Sequence, residues 1–167
     1  MTAQAQKAIQ RESVWDYSPD GALEPTSRRI RVVLGGVTIA DTTRAIRALE
    51  KGIPPDYYIP VEDVKMEHLQ PTARTTFCEF KGTASYFTVK VGEQVVEEAA
   101  WSYSGSPEDA KSIEGYVAFY PNPMDACYVD DEQVSPRSSD YYAGWVTSDI
   151  EGPFVGDADV DFDPLAH

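Results

Sequence analysis

Residues 30–40 read Ile-Arg-Val-Val-Leu-Gly-Gly-Val-Thr-Ile-Ala. Two aliphatic, largely β-branched runs meet at a glycine pair, and little except a tight β-hairpin satisfies that pattern. Val, Ile and Thr are stiff at χ1 and suit a pleated strand. Glycine accepts the positive φ that a two-residue hairpin turn demands. The pattern recurs along the chain. Thr75 to Phe80 and Ala84 to Val91 are predicted strands, and Gly92-Glu93 turns the second into Val95 to Tyr103 as another hairpin. Tyr116 to Tyr120 is a further strand, and Cys127 to Val134 reads as a third hairpin. Tyr57 to Pro60 is extended, because a residue before proline avoids the helical region. Residues 61–70 fit either a short helix or a strand with loops.

Two short helices are expected among these strands. One would be capped by Asp41, carry Ala45, Ile46 and Leu49, and stop at Gly52 and Pro54. The other would start at Ser106-Pro107, with acids in its first turn, and end near Gly115. The fold class is therefore mainly β: two antiparallel sheets of consecutive hairpins with two short helices. The domain is placed at 29–135. Residues 1–28 form an extended leader with Tyr17-Ser-Pro-Asp-Gly21 as turn chemistry, and Trp15 pins it to the core. Residues 136–167 form a C-terminal extension whose acidic run from Asp157 to Asp163 is expected to be partly disordered.

Charge and composition exclude several functions. The 167 residues carry 28 acids against 14 basic residues, a formal charge of −14. That balance opposes phosphate binding, so no nucleic-acid partner is expected. Arg28, Arg29 and Arg31 cluster, as do Arg44 and Arg47, and solvated surface is the expectation for both groups. No apolar run long enough to span a bilayer occurs, so no membrane partner is expected. The N-terminus has no apolar region of the secretory kind, and a cytoplasmic location follows as the default. The two cysteines and two histidines lack the close-paired spacing that a structural zinc site uses, so no metal and no cofactor are expected. Asp157, Asp159 and Asp161 have the spacing of a calcium loop, but Phe162 stands where that loop needs glycine. Neither glycine-rich phosphate-binding motif is present.

The densest chemistry runs from Thr76 to Phe87. Cys78 close to Lys81 could hold a stabilised thiolate, although a buried and inert cysteine is the ordinary outcome. Histidine-assisted catalysis would rest on His68. Strict alternation puts Val95, Glu97, Ala99, Trp101 and Tyr103 on one face of their strand, and Ala84 and Tyr86 on one face of theirs. Small Ala99 and Ala100 beside Trp101 suit a pocket floor, and equally suit packing between sheets.

Six blocks in order resemble a known family. They are Gly36-x-x-Ile39-Ala40-Asp41; Tyr57-Tyr58-Ile59-Pro60; Asp63-Val64; Cys78-x-x-Lys81-Gly82-x-Ala84-x-Tyr86; Ala100-Trp101-Ser102-Tyr103; and Gly115-Tyr-Val-Ala-Phe-Tyr120. From about Arg29 to Val134 the chain resembles the domain-of-unknown-function 427 family, also called nucleotidyltransferase family 9. The resemblance implies a β-tent-like fold, two antiparallel sheets leaning together over a cleft. Related tents often hold zinc, for which this sequence lacks the cysteines. Glu79-Phe80 departs from the proline and tyrosine more common in the family, which alters the strand entry around Cys78. Nucleotidyl transfer, suggested by the family's second name, would need close-spaced metal-binding acids beside a Gly-Ser loop, and the matched region shows neither.

The leading functional expectation is binding of a small molecule in a cleft lined by Tyr58, Cys78, Tyr86, Trp101 and Tyr103, with Arg74 and Lys81 supplying positive charge for an anionic group. The alternatives are an enzyme using Cys78 as nucleophile, or Tyr58 or Lys81 as acid–base group, and a protein-interaction module that could form a homo-oligomer.

Overall fold

The computed structural model describes residues 11–137 and 143–156; the acidic run from Asp157 to Asp163 and His167 lie outside the described residues. The strands are β1 Glu12–Ser13, β2 Ala22–Pro25, β3 Ile30–Leu34, β4 Val37–Thr42, β5 Ile46–Leu49, β6 Asp56–Tyr58 and β7 Leu69–Cys78. They continue as β8 Gly82–Val91, β9 Gln94–Ser104, β10 Val117–Phe119, β11 Ala126–Val129, β12 Glu132–Gln133 and β13 Ile150–Glu151. The protein is mainly β and built from several antiparallel sheets. One four-stranded sheet has the order β10-β9-β8-β7 and another the order β12-β11-β3-β4, while β2-β5-β6 forms a third. β1 and β13 pair in parallel.

The hairpins form where the glycine turns demand them. β3 and β4 close at Gly35 and Gly36, with φ of 60° and 75°, which only glycine adopts without strain. Of the two expected helices, the first is a strand and the second forms as a 3-10 helix. Residues 46–49 are a strand held between β2 and β6. Ala45 enters one core and Ile46 the other, a two-sided burial that a strand provides and a one-sided helix does not. Ser106 caps no α-helix either: its Oγ donates to the Lys81 carbonyl, and the segment that follows is a 3-10 helix over Glu108–Ile113. Residues 61–70 settle as two 3-10 turns, Val61–Asp63 and Met66–His68, leading into β7.

Two apolar clusters hold the molecule. The first fills the space between the four-stranded sheets, from Ile30, Val32 and Leu34 on β3 to Val89, Ala100 and Phe119 opposite. Trp145 belongs to it, fully buried, with its Nε1 donating to the Phe119 carbonyl at 3.1 Å. The second lies on the other face of β8, β9 and β10, beneath β5 and β6. Ile59 on the β6 side and Val117 on β10 exchange two backbone hydrogen bonds of 2.8 Å, which joins the third sheet to the edge of the first.

Outlying segments are tied in by charge and rings. Arg47, expected on the solvated surface, is buried against Glu12 and Glu24 at 3.1 and 2.6 Å. Both carboxylates come from the leader and hold the guanidinium there. Trp15 Nε1 donates to the Pro153 carbonyl at 2.7 Å.

Candidate aromatic site

Strand register lays one row of side chains across five strands. Ile46 on β5 faces Tyr58 on β6, Ala118 on β10 faces Trp101 on β9, and Trp101 faces Tyr86 on β8. The Ile59–Val117 bridge sets Tyr58 beside Ala118, so the row is continuous. Small Ala118 in the row, and Ala84 paired with Tyr103 beside it, leave room for the rings. Trp101 Nε1 donates to Tyr58 Oη at 3.1 Å, and the two rings meet edge to face at 6.4 Å. Tyr103 lies 6.1 Å from Tyr58, Tyr86 lies 6.5 Å from Trp101, and Tyr120 lies 4.7 Å from Trp101. Burial pushes the Tyr58 phenol well above its usual pKa and that of Tyr103 up to about 12. Both phenols are neutral at physiological pH.

Strict alternation fails on β9. Glu98 adopts φ of 53° and its N–H turns to Thr88 Oγ1, while the β8–β9 register shifts between Phe87 and Val89. This bulge sends Ala99 into the first cluster with Ala100, so Ala99 does not share the face of Trp101. Of the pocket floor expected from these two alanines, Ala99 alone also lines a cavity. Both alanines pack between the four-stranded sheets.

At the Tyr103 end lies a charged group. Gly82 has φ of 109°, and a Cβ there would stand 2.6 Å from the Ser104 carbonyl. Only glycine permits that approach, which turns Lys81 inward. Lys81 Nζ donates to Glu50 at 2.8 Å and sits 5.4 Å from the Tyr103 ring centroid. Burial opposes its charge, but Tyr58, Glu50, Tyr103 and Asp56 outweigh that and hold the ammonium well above the ordinary lysine range. Asp56 Oδ1 is buried without a hydrogen-bond partner, although part of the residue reaches the surface. Burial raises its carboxyl to about 6 against the pull of Lys81.

At the Tyr86 end, Thr76 Oγ1 and Tyr86 Oη are 2.9 Å apart. The guanidinium of Arg74 lies 4.3 Å over the Tyr86 ring and reaches Glu98 at 3.3 Å. A cavity of about 620 Å³ opens here, lined by Arg74, residues 96–99, Tyr120 and Pro123. Two irregularities carry lining residues: the β9 bulge and a register shift in β7 between Pro71 and Thr75.

The described residues that flank this arrangement, from Ala22 to Asp130, are matched by the model for a domain of unknown function, DUF427. The chain belongs to the DUF427 family. No curated protein matches it. The DUF427 span contains every residue of the aromatic row, both charged ends and the cavity, whereas Trp145 lies beyond it.

Within this DUF427 domain the seven residues singled out from the sequence fall in one neighbourhood. Tyr58, Tyr86, Trp101 and Tyr103 form the cluster, Cys78 packs half-buried at its margin, Arg74 covers Tyr86 and Lys81 faces Tyr103. Glu50, Asp56 and Glu98 were missed, since single carboxylates carry no local signal; Tyr120 stood in a motif block without a role. His68 does not join them. It precedes β7 and Cys78 ends it, so roughly 30 Å of extended chain separates the two; His68 Nδ1 lies 3.1 Å from the Lys90 carbonyl instead. Cys127 is buried in the first cluster, where desolvation pushes its thiol up. Among the described residues no group of three or more His, Cys, Asp or Glu is placed to hold a metal ion, and no helix is long and apolar enough to cross a membrane. The expected basic clusters are paired: Arg28 with Asp130 and Asp149, Arg29 with Asp41, and Arg44 with Asp63.

Proposed function

We propose that this DUF427 domain binds a small molecule in the cavity between Arg74 and Tyr120, which lies next to the aromatic row. One observation carries this reading. Both mouth residues rest directly on the row, Arg74 over Tyr86 and Tyr120 against Trp101. The volume of about 620 Å³ suits a compact organic ligand. Trp101 and Tyr103 are nearly enclosed, at 5% and 8% exposure, so they support the site rather than form an open cleft. Lys81 is committed to Glu50, which leaves it neither an available base nor a free anion anchor.

A thermal-shift screen of the full chain against nucleotides, sugar phosphates, amino acids and amines tests the reading. A ligand at about 100 times its Kd adds about 2.7 kcal/mol to stability, a shift of several degrees. A hit lost in Tyr120→Ala, with that variant still folded, supports the cavity. A hit that survives in both Tyr120→Ala and Arg74→Gln places binding elsewhere and sinks this reading.

A second reading, self-association, is favoured by β7. It is the outer strand of its sheet, and Phe77 on it is 72% exposed. Pro71 and Arg74 guard its first half against edge pairing, but Thr75-Thr76-Phe77-Cys78 carries no charge. Two chains of charge −14 would approach with least repulsion at that neutral edge, by antiparallel pairing of one β7 with its copy. Light scattering on the wild type and on Phe77→Lys decides it. A monomer for both at about 100 μM ends this reading.

A further inference from the structure

We infer that the cavity selects an amphoteric ligand: an ammonium group held by Glu97 and Glu98, a carboxylate held by Arg74, and an apolar body against Val96, Tyr120 and Pro123. This rests on the cavity being the ligand site and states the chemistry it selects. The sequence pointed instead to an anion, gathered by Arg74 and Lys81 together. The structure separates those two cations. Lys81 sits at the Tyr103 end and is neutralised by Glu50, while Arg74 alone lines the cavity. Two carboxylates and one guanidinium therefore surround the space, an excess of one negative charge. A simple anion would meet more repulsion than attraction there. A chain of charge −14 also draws cations, not anions, toward its surface.

Glu98 is placed deliberately. A non-glycine residue at φ of 53° is strained. Strain of this kind concentrates at binding sites, and the bulge that causes it is what aims the Glu98 carboxylate across the mouth at Arg74. Arg74 is fixed from two directions, by the Tyr86 face beneath it and by Glu98 beside it. Glu98 engages the guanidinium through Nη1, one corner of a fork with five N–H donors, so the fork can take a second carboxylate. A ligand with both charges completes the pattern: its carboxylate joins Arg74, and its ammonium compensates the carboxylate that Arg74 then shares. Glu97 is exposed and adds the further negative charge at the same rim.

Three probes with one phenylethyl body isolate the charge: L-phenylalanine (zwitterion), 2-phenylethylamine (cation) and 3-phenylpropanoate (anion). Each is titrated calorimetrically into the full chain at neutral pH and low salt. Phenylalanine is expected to bind tightest, the amine next and the acid weakest. Glu97→Gln and Glu98→Gln are each expected to weaken phenylalanine by about tenfold, and Arg74→Gln to erase its advantage over the amine. Melting temperatures of the variants check that each is folded. The acid binding as tightly as phenylalanine overturns the charge assignment and leaves the cavity as a ligand site. The amine binding tightest overturns the role of Arg74. Silence of all three up to about 10 mM overturns both readings.

Discussion

Tyr58 and Trp101 share a hydrogen bond where neither can reach water, and that bond ties β6 to β9 across β10. Removing the donor strands a buried hydroxyl and leaves a void. Trp101→Phe is expected to lower unfolding free energy by about 2–3 kcal/mol, read from urea denaturation. Asp56 gives the opposite sign. Its carboxyl is raised to about 6, above the ordinary value near 4, so the native state binds its proton more tightly than the unfolded chain does. Stability from this residue is therefore greatest below the unfolded value and falls as pH rises through about 4 to 6. Asp56→Asn removes the penalty. The variant should match the wild type near pH 4 and exceed it above pH 7 by up to about 3 kcal/mol, followed by chemical denaturation across that range. A gap that does not change with pH would show that Asp56 is not the buried acid described.

Strand irregularities decide more of the site than the regular ladders do. The β9 bulge at Glu98 separates Ala99 from Trp101 and lines the cavity, and it holds a strained residue to do so. Glu98→Gly relieves the left-handed backbone and gives up only an exposed ion pair, so it should stabilise by up to about 1 kcal/mol while weakening the cavity's hold on Arg74. The β7–β8 hairpin end depends on the close approach of Gly82 to the Ser104 carbonyl. Gly82→Ala puts a methyl group 2.6 Å from that oxygen at φ of 109°, and a loss of about 3 kcal/mol or more is expected in thermal unfolding. β5 teaches a related lesson. Ala45, Ile46 and Leu49 have helical spacing, but four consecutive buried residues between two partner strands read as a two-sided core strand. A run that short does not distinguish the two by periodicity.

At the scale of the molecule, the family-matched span does not close its own core. Trp145 fills the first cluster from outside that span, so Trp145→Ala is expected to cost about 3–5 kcal/mol in denaturant unfolding. Strand chemistry and glycine turns in the sequence determined the β class and the three hairpins, because alternation and turn residues are local properties. The inward turn of Lys81 toward Glu50, the burial of Arg47, the orphaned Asp56 oxygen and the cavity beside Arg74 were decided by tertiary structure alone. Each depends on which carboxylate, carbonyl or ring arrives from a distant strand, and desolvation and Coulomb forces act through space, where neighbours in sequence count for nothing.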